Sequence, residues 1–187
     1  LASPWAWQVR AQTLALPLFS GLLWLLVDHQ QRRSPRVLLA LPILIVWGNV
    51  HGTVVMAAML VVAAGTIDLI RRQGSARVAL ALIVVGPLCL LVSPYALELP
   101  GYYHLMLVDP PFSGLIVEWR PTRPEPKTLL FFVLAVFTAI LAVWQRQRLT
   151  LFEGFALALT LWVGLDAIRG VTWFVLAVLV IVPSLLD

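Results

Sequence analysis

Residues 37–70, VLLALPILIVWGNVHGTVVMAAMLVVAAGTIDLI, decide the fold class. The run is apolar on both sides of Trp47-Gly48-Asn49-Val50-His51-Gly52, and as one helix it would reach about 50 Å at 1.5 Å per residue. The hydrocarbon core of a bilayer is only about 30 Å thick. A hairpin or a broken helix at 48–52 is therefore expected, with the polar groups of the break turned to protein or to a water-filled cavity rather than to lipid.

Outward from this stretch the pattern repeats. Apolar runs bounded by charge or by Pro and Gly predict helices over 11–27, 37–48, 52–70, 77–92, 128–145, 151–165 and 171–186. The chain is 61% apolar and 12% charged, with a mean hydropathy of +0.95, whereas a soluble domain is roughly half apolar and a quarter charged. A spanning helix uses only about 20 residues, so the apolar excess implies about seven spans. The expected fold is all-α: a polytopic transmembrane helical bundle, with 1–187 as a single membrane domain in a lipid bilayer.

Charge orients that bundle. The net charge of +4 and pI near 10 do not point to nucleic acid, because the basic residues sit in short clusters between apolar runs. Arg32, Arg33 and Arg36, then Arg71, Arg72 and Arg77, then Arg146 and Arg148 fall on one side under strict alternation. The positive-inside rule makes that side cytoplasmic. Trp47–Gly52, the 93–127 segment and Asp166–Gly170 then face outward. Within 93–127 the prolines at 94, 100, 110, 111, 121, 124 and 126 break any continuous helix, yet Tyr102–Val108 is apolar enough for a short helix lying along the membrane surface. The opening LASPWAWQVR has neither an initiator Met nor a signal-peptide pattern, so the chain is expected to be part of a longer protein.

Few side chains in these segments can carry chemistry. Asn49 and His51 read either as a ligand-facing corner, with His51 donating to an anion, or as a turn with an interfacial Trp and a capping Asn. Arg10, with Gln12, marks the outer end of the first helix, and Asp166 and Arg169 lie beside Gly170 between the last two. Outward arginines oppose the topological bias, and a guanidinium offers a fixed fork of donors to a phosphate; an Asp166–Arg169 ion pair or snorkelling is the alternative. Glu118, in Glu118-Trp119-Arg120-Pro121, could orient a hydroxyl-bearing acceptor or act as a base, or it could pair with Arg120 or Arg123. Asp28, Asp68 and Glu153 read as interfacial or as neutralised by neighbouring arginines. His29, His51 and His104 lack zinc-ligand spacing, and no set of oxygen ligands for a divalent metal is evident. There is no Gly-rich phosphate loop or nucleophile elbow, and no cofactor is identifiable. Cys89 stands alone, which excludes an intrachain disulfide and a sulfur-built metal cluster.

Several marks nevertheless occur in a fixed order: Arg10-Ala11-Gln12, Trp47-Gly48-Asn49-Val50-His51-Gly52, Ser93-Pro94-Tyr95, Glu118-Trp119, and Ala167-Ile168-Arg169 before Pro183. The series resembles the C-terminal half of bacterial multi-spanning membrane proteins related to the GT-C class of glycosyltransferases, whose pattern reads R-x-Q, W-x-N-x-H-G, N-P-Y-G, E-W and a late R before an apolar helix. Ser93 stands where that pattern has Asn, and Ala96 where it has Gly. Over nearly the whole chain, the resemblance implies a glycosyltransferase of the bacterial cytoplasmic (inner) membrane that moves a sugar from a polyprenyl-phosphate donor to an acceptor on the outer face. It also implies a catalytic carboxylate in the first outer loop of the complete protein, a loop not identifiable in this chain. The substrate-binding residues on this reading are Arg10, Asn49, His51, Glu118 and Arg169, with Arg10, His51 and Arg169 on the phosphate side and Glu118 toward the acceptor. A non-enzymatic membrane transporter or scaffold subunit is the alternative, because broken helices with polar residues at the break also mark transporter sites.

Overall fold

The computed structural model describes residues 11–96, 98–108 and 116–186, the side chains of 106–108 excepted. Among them every regular element is helical. The chain divides into two compact units, 2–99 and 100–187.

In the first unit, α1 (Ala11–Arg32) is followed by α2 (Pro35–Gly48), α3 (Val54–Ile70) and α4 (Ala76–Leu91). The chain enters α2 through a 3-10 turn, Pro35–Leu39, where the Ser34 hydroxyl accepts from the Arg36 N–H and Pro35 supplies a preset φ. The apolar run 37–70 does not form one helix: α2 stops at Gly48 and α3 starts at Val54. Trp47, fully buried, meets Phe19 of α1 edge to face at 6.2 Å, which fixes the end of α2 against α1.

Helix α4 is irregular for a local reason. Pro87 has no N–H for the carbonyl four residues back and its ring crowds that position, and the backbone widens into a π turn over Ala81–Val85 just ahead of it. Contact with α3 depends on two missing side chains. A Cβ at Gly65 would lie 2.7 Å from the Ala79 carbonyl, and one at Gly86 would lie 3.0 Å from Val61.

The C-terminal ends of α1 and α3 are joined by a buried polar network. The Asp68 carboxylate is 2.7 Å from His29 Nε2, accepts from Gln30 Nε2 at 3.0 Å and pairs with Arg33, which also donates to Gln73. His29 Nδ1 lies 2.8 Å from the Ser34 carbonyl, so both ring nitrogens of His29 face oxygens. Arg33 closes α1 in the left-handed region at φ 55, and its N–H returns to the His29 carbonyl; such αL closures are ordinarily glycine's. Asp68 thus holds an arginine in a backbone conformation that arginine adopts only at some cost.

The second unit begins with the helix Leu99–Val108 (α5), whose Pro100 sits in the first turn, where no helical N–H is missed. Next come α6 (Leu129–Trp144), α7 (Leu151–Asp166), α8 (Val171–Ile181) and the short α9 (Pro183–Leu186). A capping box starts α7: Glu153 N–H donates to Thr150 Oγ1 at 3.2 Å while Thr150 N–H donates to Glu153 Oε2 at 2.8 Å. Glu153 is therefore a buried cap. Fully buried Phe131 meets Phe174 of α8 edge to face at 5.7 Å and lies against Gly164 of α7, where a Cβ would come within 3.0 Å of its ring.

Among the described residues, Ala11–Arg32 is the one helix both long and apolar enough to cross a membrane. Pro35–Gly48, Val54–Ile70, Ala76–Leu91, Leu129–Trp144 and Ile168–Ile181 are apolar but shorter.

Candidate functional site

In the first unit, the break between α2 and α3 is a connected polar corner. Asn49 donates through Nδ2 to the Ile45 carbonyl and to the Val92 carbonyl, both at 2.8 Å. It thereby caps α2 and ties the Trp47–Gly52 corner to the residue preceding Ser93-Pro94-Tyr95. Both of its amide hydrogens are engaged in this structural task, the capping role open to it from the sequence.

His51 is oriented by Thr53. The Thr53 N–H donates to His51 Nδ1 at 3.2 Å, the Thr53 hydroxyl lies 2.9 Å from the same nitrogen, and Trp47 Nε1 donates to that hydroxyl at 3.2 Å. A ring nitrogen that accepts carries no proton, so neutral His51 is set as the tautomer with hydrogen on Nε2. The chain from indole to hydroxyl to imidazole defines which edge of His51 donates.

In the second unit, two distant sequence marks meet. The Arg169 guanidinium lies over the Trp119 ring, 3.1 Å from its centroid. Trp119 is held in a 3-10 turn, Val117–Trp119, and Arg169 in another, Ile168–Gly170. The second turn exists because residue 170 is glycine: a Cβ there would overlap the Val163 carbonyl. Partial burial pushes the Arg169 guanidinium below its ordinary pKa, while the acidic groups of Tyr102, Glu118 and Asp166 push it upward. Stacking on the indole fixes the plane of the guanidinium and so the direction of its N–H fork.

The segment carrying Trp119 is strapped to the end of α7. Thr122 donates through Oγ1 to the Gly164 carbonyl at 2.6 Å and through its N–H to the Leu165 carbonyl at 2.9 Å, and the Ile168 N–H donates to the Arg120 carbonyl at 3.1 Å. Beside this strap lies a cleft of about 400 Å³ lined by Val117, Arg120, Pro121, Arg123, Glu125, Thr128 and Ile168.

Of the residues expected from the sequence, Glu118 and Arg169 share one neighbourhood and Asn49 and His51 another, each within its own unit. Arg10 lies outside the described residues. Asp68 pairs with an arginine, one of the two readings open to it from the sequence; Thr53, Trp119 as a stacking platform, Thr122 and the His29 and Gln30 partners of Asp68 were not anticipated. For Thr53 a signal existed, since a hydroxyl two residues after a histidine can reach back to it; His29 and Arg33, four apart on one helix face, signalled a partner for Asp68. Among the described residues, no group of three His, Cys, Asp or Glu side chains is placed to hold a metal. Compared with known protein families, curated proteins and solved structures, the chain matches none.

Proposed function

We propose that the chain is part of a polytopic membrane glycosyltransferase resembling the GT-C class, which moves a sugar from a polyprenyl-phosphate donor to an acceptor at the outer face of a bacterial cytoplasmic membrane. The observation that carries this reading is the stacking of Arg169 on Trp119 beside Glu118. The acceptor hydroxyl attacks the anomeric carbon, the bond from that carbon to the phosphate oxygen breaks, and the electron pair leaves with the lipid phosphate. Arg169 stabilises the charge that develops there, a task suited to a donor held rigid before the reaction. Glu118 accepts a hydrogen bond from the acceptor hydroxyl, orients it and takes its proton as the new bond forms. His51 supplies an Nε2–H donor for an anion in its own unit.

Support for the membrane setting comes from composition and from α6. Val133, Val136, Phe137, Ile140, Val143 and Trp144 are all exposed, Ile140 to 63% and Trp144 to 77%. A helix apolar all round needs apolar surroundings. At 1.5 Å per residue α6 reaches about 24 Å, and bilayers adapt to short spans by thinning at modest cost. Arginine clusters at the ends of α1, α3 and α6 fit an alternating arrangement of seven spans.

The test is sugar transfer from a polyprenyl-phosphate donor by the full-length protein in nanodiscs, normalised to folded protein. Arg169→Lys and His51→Ala should each lower transfer and donor binding by tenfold or more, on the order of 2 kcal/mol or above for a desolvated charged contact. Arg146→Gln and Arg148→Gln should leave both unchanged. Near-wild-type values for Arg10→Lys, Arg169→Lys and His51→Ala together would reject the donor-phosphate assignment, and uptake without transfer in proteoliposomes would favour a transporter.

A further inference from the structure

We infer that the loops 31–36 and 71–77 form a docking surface for the anionic headgroups of a lipid leaflet, of which phosphatidylglycerol is the simplest. The inference rests on the bilayer setting proposed above and is independent of sugar transfer. It starts from charge balance. Between residues 29 and 97 the sequence holds six arginines and one carboxylate, Asp68. Asp68 is engaged by Arg33, and Asp28 by Arg32. Arg36, Arg71, Arg72 and Arg77 are exposed, and among the described residues none of these four guanidinium groups has a hydrogen bond or an ion pair. The two loops are tied to each other: Arg33 of the first donates to Gln73 of the second, and a Cβ at Gly74 would lie 3.8 Å from Arg33 Cδ. The surplus positive charge is thereby gathered at one end of the first unit.

Three of the four arginines stand where the chain itself disfavours them. Arg72 closes α3 at φ 52, with its N–H to the Leu69 carbonyl and the Gln73 N–H to the Asp68 carbonyl, a closure in which glycine is usual. A left-handed arginine costs free energy, and Arg72, unlike Arg33, gains no carboxylate by adopting it. Arg36 and Arg77 lie in the first turns of α2 and α4, at the positive ends of those helices, where no acidic side chain is present. Only Arg71, at the end of α3, is where a helix dipole favours a cation. An anion outside the chain supplies the missing reason for the other three.

The neighbours of these arginines select a lipid surface over a soluble polyanion. Ile70, next to Arg71, is 75% exposed, and Leu39 and Leu80, three residues after Arg36 and Arg77, are 55% and 50% exposed. Three residues along a helix is about one turn, so these cations have an apolar neighbour on the helix side of the loop. A headgroup layer meets both needs, with phosphates at the depth of the guanidinium groups and acyl chains at the depth of the leucines. A polyanion in water would leave the leucines and Ile70 wet. A fluid leaflet brings a separate headgroup to each cation, so no enclosed pocket is required.

The experiment places the full chain in nanodiscs of phosphatidylcholine alone and of equal parts phosphatidylcholine and phosphatidylglycerol, and reads the lipid retained on release by native mass spectrometry. Phosphatidylglycerol should be enriched over its share of the disc, and the enrichment should fall with salt. Arg36→Gln/Arg72→Gln/Arg77→Gln should lower it by about tenfold or more, as each arginine near an anionic surface contributes roughly threefold to fivefold. Arg72→Gly removes a charge yet restores the residue that the left-handed position favours. It should raise the unfolding temperature in phosphatidylcholine discs while lowering phosphatidylglycerol enrichment, a pair of signs that misfolding cannot produce. Inorganic polyphosphate added to phosphatidylcholine discs tests the soluble alternative. Polyphosphate binding without phosphatidylglycerol enrichment, undiminished enrichment in the triple variant or in Arg72→Gly, or no enrichment at all overturns the proposal. A chain that enters phosphatidylcholine discs and fails to enrich phosphatidylglycerol leaves the bilayer setting intact, whereas one that enters neither disc overturns both.

Discussion

The guanidinium of Arg169 rests on the indole of Trp119, 3.1 Å from the ring centroid, although fifty residues of chain, counted roughly, separate the two marks. Stacking fixes the plane of the guanidinium and therefore the direction of its N–H fork. Trp119→Leu keeps an apolar contact but removes the π face, and should weaken donor-lipid binding by about 0.5–2 kcal/mol. Trp119→Phe should fall between. Equal donor affinity in all three proteins, measured at equal folded fraction, would show that the ring does not orient the arginine.

Glycines at 170 and 21 should respond in opposite senses. A Cβ at Gly170 runs into the Val163 backbone carbonyl, whereas a Cβ at Gly21 meets nothing within 4 Å. Gly170→Ala should destabilise the second unit by about 1–3 kcal/mol, as overpacking does, and should displace Arg169 with it. In α1, Gly21→Ala should stabilise by roughly 0.5–1 kcal/mol through helix propensity alone. Thermal unfolding in detergent separates the two signs.

Two carboxylates near the end of α1 should differ sharply. Asp68 is 3% exposed and holds His29, Gln30 and Arg33, so Asp68→Asn takes the counter-charge from part-buried Arg33 and breaks up a buried hydrogen-bond network, and should cost about 3–5 kcal/mol. Asp28 meets Arg32 at 3.5 Å, with the arginine side chain 79% exposed. Asp28→Asn should cost no more than about 1 kcal/mol. Similar unfolding midpoints for the two variants would contradict the buried-network account.

Single cysteines test the orientation drawn from charge. In a Cys89→Ala background, where a buried thiol is replaced by a smaller apolar group, a cysteine at position 74 should react only with reagents that enter from the cytoplasmic side. Cysteines within 116–127 should react from outside. Labelling of position 74 by an impermeant reagent in intact cells reverses the topology.

The helices were legible because apolar run length and Pro or Gly punctuation are local properties. The break after Gly48 could be read from length alone and α7 from its apolar run over 151–165, whereas the capping box of Thr150 and Glu153, which makes Glu153 a buried cap and not an interfacial or arginine-neutralised carboxylate, was not anticipated. Helix α1 runs on to Arg32, past the expected end at 27, because Asp28, His29 and Gln30 are polar yet engaged at that end; hydropathy alone ends a helix at the first polar residues. Glu118 and Arg169 could be named singly but not paired, since no periodicity links a loop to a turn so far along the chain. The tautomer of His51 depends on Thr53 and Trp47 at once, a three-body relationship that spacing does not encode.

The bond between His29 and Asp68 closes a stretch of 39 residues, and that separation bears on how the protein is made. Segments delivered to a bilayer one after another would present α3 with a bare carboxylate near its end, and α1 with an imidazole and a guanidinium awaiting it. Neither end is comfortable in lipid until the other arrives. In the proposed bilayer setting α1 is the docking partner for α3, and the two meet only after α2 has been made. Biogenesis on this scheme waits on the third helix, and a nascent chain stalled before Asp68 emerges would hold α1 only loosely.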